Sequence, residues 1–293
     1  MIYLFFIFLI SPLIAQDDLL DILDDDSDKS VFVEFSFKGT RVVNAQSLEI
    51  PRPKILQFMI QHRFGSIENG FYDLFGMDYA TIRFDFHYGL TERLSFGVGR
   101  SSLDKIYDVF LKTKLLRQTS GSKSFPFSIL FYSDIGVDTK RKTENDPAVK
   151  DNYLNRLLFV NQLIIGRKFS RNLSLEILPT LIHRNLTPTK DDDHDLASIG
   201  IAGRYKLSNR ISVNADYFTP LGDRNNDYKN SIAIGVDYET GGHVFQVMIA
   251  NAQGPYEYTF IENASGDFST GTLYLGFNIS RAFTLASDNE KLW

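Results

Sequence analysis

Five histidines, His62, His87, His183, His194 and His243, are the side chains in this sequence best suited to proton transfer or metal ligation near neutral pH. They fall on separate segments with neither an HExxH pattern nor ligand spacing, so no metal site is expected from them. The run "DDDHD", Asp191 to Asp195, gathers hard oxygen ligands of the kind calcium or magnesium takes, although a solvated loop tip needs no ion to explain it. "GVGRSS", beginning at Gly97, lacks the third glycine of a dinucleotide loop and opens no helix, so phosphate binding is not supported. His183 and Ser198 could meet on neighbouring strands as base and nucleophile of a lipid-cutting site, yet no GxSxG marks the serine. With no cysteine in the chain, disulfides, thiolate metal sites and cysteine nucleophiles are excluded. Neither an enzyme nor a cofactor is expected.

A second set of ionisable residues is spread along the whole chain: Arg63, Arg83, Asp85, Lys112, Lys114, Asp134, Glu176, Arg204, Asp216 and Asp237. Each sits on the polar parity of an alternating segment. Charges of both signs on one side of many strands can line a watery bore, where they pair across the lumen or bind water. The chemistry expected of this set is the lining of a narrow pore, or the plugging of one by long side chains such as Arg83, Lys112 and Arg204.

The elements that must carry these residues are strands. In "LQFMIQHRF" Leu56, Phe58, Ile60 and Phe64 oppose Gln57, Gln61 and Arg63, and in "TIRFDFHYG" Ile82, Phe84, Phe86 and Tyr88 oppose Thr81, Arg83, Asp85 and His87. The same period of two runs through "LSFGVGR", "ISVNADY", "SIAIGVDY" and "TLYLGFNISRAF". About twelve such segments are expected, starting near Leu56, Thr81, Leu94, Tyr107, Phe127, Leu157, Leu173, Ala197, Ile211, Ile232, Phe245 and Thr272. Most span ~9 to 12 residues, longer than a usual soluble strand and matched to a tilted bilayer crossing. Pro179 cannot donate to a ladder, so a bulge or local break is expected there.

The connections alternate in length. "GLTERL", "KFSRNL", "KLSNRI" and "ETGGHV" are short, whereas "GSIENGFYDLFGMDY", "DTKRKTENDPAVKDNY", "LTPTKDDDHDL", "PLGDRNNDY" and "NAQGPYEYTFIENASGDFS" are long. Outer-membrane barrels show this asymmetry, with short periplasmic turns and long external loops. The turns "YGLTERLS", "RKFSRNLS" and "YKLSNRIS" form a weak repeat that reads as recurrent hairpin chemistry rather than a duplicated module. The fold expected is therefore all-β: an antiparallel up-and-down transmembrane barrel of about twelve strands, apolar to lipid and polar to the lumen.

Outside residues 55–285, the expected barrel, the composition changes. Residues 1–15 carry an apolar run from Ile2 to Ile14 followed by Ala15, which reads as a cleaved secretory signal and too short for a bilayer helix. Residues 16–30 hold seven aspartates and read as a disordered acidic leader, in which Leu19, Leu20, Ile22 and Leu23 offer a periplasmic partner one helical turn. Removing those seven charges from the formal −5 leaves +2, so the bulk of the chain is nearly neutral and a nucleic-acid surface is not expected. Residues 31–54 could add a strand, plug the lumen or lie along the periplasmic rim, and residues 286–293 form a C-terminal tail. The partners this organisation implies are outer-membrane lipid and the barrel assembly machinery of a Gram-negative bacterium.

At "SFKGTRVVNAQSLEIP", "HRFGSIENGFYDLFGMDYATIRF", "GVGRSSLDKIYDVFLKTKLLRQTSG", "RKFSRNLSLEILPTLIHRNL", "GRYKLSNRISV" and "ETGGHVFQV" the chain resembles a β-barrel family of Bacteroidota-type outer membranes, over about Val31 to Leu285. The resemblance implies an outer-membrane barrel with no assigned activity, and no catalytic or binding residues to carry over.

Overall fold

A computed structural model describes residues 30–122, 124–141, 152–187, 193–222 and 228–285. The expected signal, most of the acidic leader, the tail, and Asp191 and Asp192 of "DDDHD" lie outside the described residues.

Twelve antiparallel strands close into a single barrel: β2 (Ile55–Ser66), β3 (Ala80–Gly89), β4 (Leu94–Ser101), β5 (Ile106–Leu116), β7 (Ser128–Asp138), β8 (Leu157–Lys168), β9 (Leu173–Arg184), β10 (Asp195–Lys206), β11 (Ile211–Leu221), β12 (Ser231–Glu239), β13 (His243–Ala250) and β14 (Tyr274–Thr284). Each pairs with its sequence neighbour, and β14 pairs with β2 to seal the ring, from Ile279 against Ile60 to Thr284 against Ile55. Closure leaves no unpaired edge, which is the condition for strands to cross hydrocarbon. A separate two-residue pair, β1 (Val31–Phe32) with β6 (Thr119–Ser120), lies at the short-turn end.

The recurrent turn sequence has one geometric cause. In all three copies the hydroxyl residue accepts from the amides two and three positions on. Thr91 Oγ1 takes Arg93 N and Leu94 N at 3.2 and 3.0 Å, Ser170 Oγ takes Asn172 N and Leu173 N at 3.2 and 3.0 Å, and Ser208 Oγ takes Arg210 N and Ile211 N at 3.3 and 3.1 Å. Short Ser or Thr side chains satisfy these turn amides locally, so the strand resumes at once on the right parity.

Pro179 keeps its register with Ile199 of β10, and no bulge forms. On the other side the ladder is interrupted: β8 pairs with β9 up to Gln162–Thr180 and resumes at Ile165–Ile177 in unchanged register. The missing donor is thus felt on the β8 side alone. Register shifts occur elsewhere, at Lys114/Leu116 and at Tyr274/Gly276.

The alternation predicts the faces of most strands, with one departure. On β5, β7, β8 and β9 the inner face is apolar in large part: Ile106, Phe110, Leu130, Val160, Ile164, Leu178 and Ile182 are buried and belong to one hydrophobic cluster. That cluster lies within the ring and is completed by residues that form no barrel strand.

Candidate functional site

Wrapping twelve strands ~4.8 Å apart at a tilt of ~40° gives a ring of about 24 Å backbone to backbone, wide enough to hold water or chain. Two insertions occupy it, one from each end.

The first enters from the short-turn end and runs from Ser36 to Ile50. Its tip is a tight reversal: Val42 N donates to Ala45 O at 2.9 Å and Ser47 N to Thr40 O at 3.0 Å, around an Arg41–Gln46 bridge. Phe37, Val42, Val43, Ala45 and Leu48 are buried in the apolar cluster. Most of the polar groups at the tip are met by the wall, whereas Asn44 Nδ2 is buried without a partner among the described residues. The Asp216 carboxylate of β11 accepts from Asn44 N at 2.7 Å and Ala45 N at 3.0 Å, and Arg63 of β2 donates to Asn44 Oδ1 at 2.9 Å. Gln246 of β13 donates to Val42 O at 2.6 Å, and Asn278 of β14 to Val43 O at 3.0 Å. Lys112 of β5 reaches Thr40 O at 2.8 Å and Ser47 O at 3.2 Å, Arg204 of β10 reaches Ser36 O at 3.2 Å, and Lys38 pairs with Glu239. A segment without secondary structure can be buried this way because donors and acceptors from strands all around the ring replace the partners a sheet would give. It leaves the bore beside Gly89, where Lys54 N donates to Gly89 O at 3.0 Å and an added Cβ would lie 2.1 Å from Arg52 O.

The second insertion comes from the long-loop end, out of the β13–β14 connection. It carries a short helix, α1 (Glu257–Ile261), with Tyr256, Glu257, Phe260, Ile261 and Ala264 fully buried. Tyr256 Oη donates to Asp134 Oδ1 at 2.5 Å, under the Arg83 guanidinium at 5.8 Å from its ring, and Phe260 meets Phe218 edge to face at 5.3 Å. Glu262 pairs with Arg184. Gly136 makes room for the tyrosine, since a Cβ there would lie 2.5 Å from Tyr256 Oη.

The two insertions touch. Arg41 Nη1 lies 3.0 Å from Glu257 Oε1, and Gln46 Nε2 donates to that same oxygen at 2.7 Å. Both ionic partners are sealed from solvent, and Arg41 also donates to Asn44 O at 2.7 Å. The wall contributes a further buried pair, Arg83 with Asp108, joined bidentately at 2.9 and 2.8 Å.

Of the ten residues singled out by parity, nine point inward and are buried: Arg63, Arg83, Asp85, Lys112, Asp134, Glu176, Arg204, Asp216 and Asp237. Arg63, Lys112, Arg204 and Asp216 converge on the first insertion, and Arg83 and Asp134 on the second. Lys114 is half-buried and lines a mouth cavity of about 60 Å3 with Glu34, Glu49 and Arg117. A further cavity among Gly39, Arg41, Asp237 and Gln246 measures about 20 Å3, room for about one water. The residues that alternation did not single out are those of the insertions, Arg41, Asn44, Gln46, Tyr256 and Glu257, whose only sequence signal is that they sit among apolar neighbours in long connections.

His183 and Ser198 do not form a dyad. His183 is on the outer parity of β9, bonded to Asp195 Oδ1 at 2.8 Å, whereas Ser198 is buried on the inner parity of β10 and donates to Thr219 O at 3.1 Å. Of the other histidines, His87 is buried against Ser95 Oγ at 2.7 Å and His62 stacks on Phe277 on the outer face. No group of three metal-binding side chains occurs among the described residues.

Residues 37–283 match the family described as "Membrane bound beta barrel domain (DUF5777)". No curated protein matches the chain. Among solved structures it is similar to the NanC porin (9% identity, TM-score 0.48, covering 78% of this chain and 98% of that one) and to the KdgM porin (8%, 0.47, 77% and 99%). It is similar too to the outer membrane protein Omp33 of Acinetobacter baumannii, at 10% identity and TM-score 0.40, covering 78% and 97%.

Proposed function

This chain belongs to the membrane-bound β-barrel domain family, and on that premise we propose that it is a small-solute channel of a Gram-negative outer membrane, held closed at rest by its two insertions. The observation that carries this reading is a ring of twelve strands with an ionisable inner wall whose bore is occupied by segments that add no strand to it. Those segments are fastened in part by hydrogen bonds and ion pairs, which water and the freed wall can replace when they leave, and in part by the apolar cluster, which favours the closed state. The open conduit would then be lined by Arg63, Arg83, Asp85, Lys112, Lys114, Asp134, Glu176, Arg204, Asp216 and Asp237, and selection would follow from their mixed charge. Residues 1–15 direct export and are removed, the acidic leader meets a periplasmic partner, and the barrel is inserted by the assembly machinery.

A second reading, a non-conducting structural or assembly partner, draws support from the apolar cluster that the first insertion completes with β7, β8 and β9. An enzyme is disfavoured by the separation of His183 and Ser198 on opposite faces of the wall. Conductance in planar bilayers separates the readings. The mature chain should show rare, brief openings, and a variant lacking both residues 36–50 and residues 255–264 should conduct steadily. A folded variant lacking both residues 36–50 and residues 255–264, recognised by its heat-modifiable migration, that passes no more current than its parent would establish the non-conducting reading.

A further inference from the structure

The outer wall is not evenly covered. Where β3, β4, β5 and β7 run side by side, pairing sets Phe86, Val98, Val109 and Ile135 in one row across the sheet and Phe84, Arg100, Tyr107 and Val137 in the next row toward the long loops. Short valines between tall Phe84 and Phe86 on one side and Ile135 on the other leave an outward-facing hollow of about 500 Å3, floored by the backbone at Gly99 and Gly136. The hollow faces hydrocarbon, so its occupant must be apolar.

Its loop-side end is cationic. Arg100 lies on the lipid-facing parity, its guanidinium 5.6 Å from the Tyr107 ring centroid. Among the described strand residues it is the one cation on that parity toward the long loops, Arg167 and Arg281 being at the short-turn end. Lys105 follows in the tight connection to β5, with φ of 54°. Neither has a carboxylate partner among the described residues, whereas nearby Lys140 is held by Asp104 at 2.7 Å. A lipid-facing arginine is tolerated at the interfacial level, where a headgroup can neutralise it, and a guanidinium over a tyrosine ring still has its fork of donors to offer to phosphate oxygens.

We propose that this strip binds one phosphate-bearing lipid of the leaflet on the long-loop side. One acyl chain lies over Val98 and Val109, and the phosphate sits on Arg100 with Lys105 as its second cation. The combination distinguishes the site from general solvation by lipid, because chain and headgroup are read at adjoining positions of the same two strands.

The test is native mass spectrometry of the mature chain released from detergent and titrated with dioleoyl phosphatidic acid, with diolein as the same chains without phosphate. One phosphatidic acid should be retained at concentrations where diolein is not. Arg100→Gln and Val109→Trp should each weaken retention about tenfold, and Ile234→Trp on a distant outward position should leave it unchanged. Val98→Phe fills the same hollow should Val109→Trp fail to fold. Equal retention of diolein, retention untouched by both Arg100→Gln and the filling variant, or an equal loss from Ile234→Trp would overturn the proposal.

Discussion

Replacing Asp216 by alanine strikes the point at which the first insertion is tied to the wall. One carboxylate oxygen accepts two amides there, Asn44 N at 2.7 Å and Ala45 N at 3.0 Å, and both donors are buried at the tip of the reversal. Alanine leaves two buried N–H groups unmet, at about 1 to 3 kcal/mol each, and the barrel itself loses no backbone bond, because residue 216 keeps its places opposite Ala202 and Ala233. Taking about 3 kcal/mol as the differential cost to the inserted state, the ratio of released to inserted tips rises about 150-fold. Asp216→Asn retains an acceptor without the charge and should fall between the two. The chain has no cysteine, so Ala45→Cys is a clean reporter, and its labelling by a membrane-impermeant maleimide reads release directly. The rate should climb about two orders of magnitude in Asp216→Ala and less in Asp216→Asn, with channel openings rising in parallel. Labelling at the parental rate in both variants, in barrels that keep heat-modifiable migration, would refute the claim that this carboxylate holds the insertion in place.

Gly136→Ala forces a methyl to 2.5 Å from Tyr256 Oη, so the second insertion should loosen, seen as faster proteolysis within residues 251–272; unchanged protection would count against the packing described. Removing one member of the sealed Arg83–Asp108 pair should cost about 3 to 5 kcal/mol, and the double alanine variant should cost less than the sum of the two singles, as a double-mutant cycle on denaturant midpoints would show. Arg41→Ala removes the ion pair between the insertions, leaving Gln46 on the Glu257 carboxylate, and should uncouple them, so that protease sites in residues 36–50 and 251–264 open at different denaturant concentrations rather than together as in the parent. Leu74 is about half exposed with φ of 52°, a region that costs a non-glycine residue roughly 1 kcal/mol, so Leu74→Gly should slow amide exchange across Ile67–Asp73; faster exchange would show that the side chain, not the backbone, orders that loop.

Much of the barrel was legible in the residues. β2, β3 and β11 read cleanly because one face meets hydrocarbon and the other meets polar atoms, and the twelve expected starts fall within two residues of those observed. The turn repeat was legible because Thr91, Ser170 and Ser208 do the same job three times. The contents of the bore were not. Val160, Ile164, Leu178 and Ile182 point inward from strands whose outer faces are also oily, and a strand apolar on both sides has no period to reveal its inner lining. Ser36 to Ile50 has no periodicity because its conformation answers to donors on β2, β5, β10, β13 and β14 and to an acceptor on β11, which only ring closure brings together. Parity placed Arg63, Lys112 and Asp216 on the inner wall; what they hold there depends on Asn44 and Thr40, whose sequence neighbourhood does not say which wall residues they meet.

The seam of the ring lies between β14 and β2, and each flank of it carries one of the occupants: the first insertion leads into β2, and the second issues from the strand pair that ends in β14. Their meeting at Arg41 and Glu257 therefore works as a clasp drawn across the join from inside. A full vessel and a sealed join thus share one fastening, and loosening it slackens what fills the bore on both flanks of the seam.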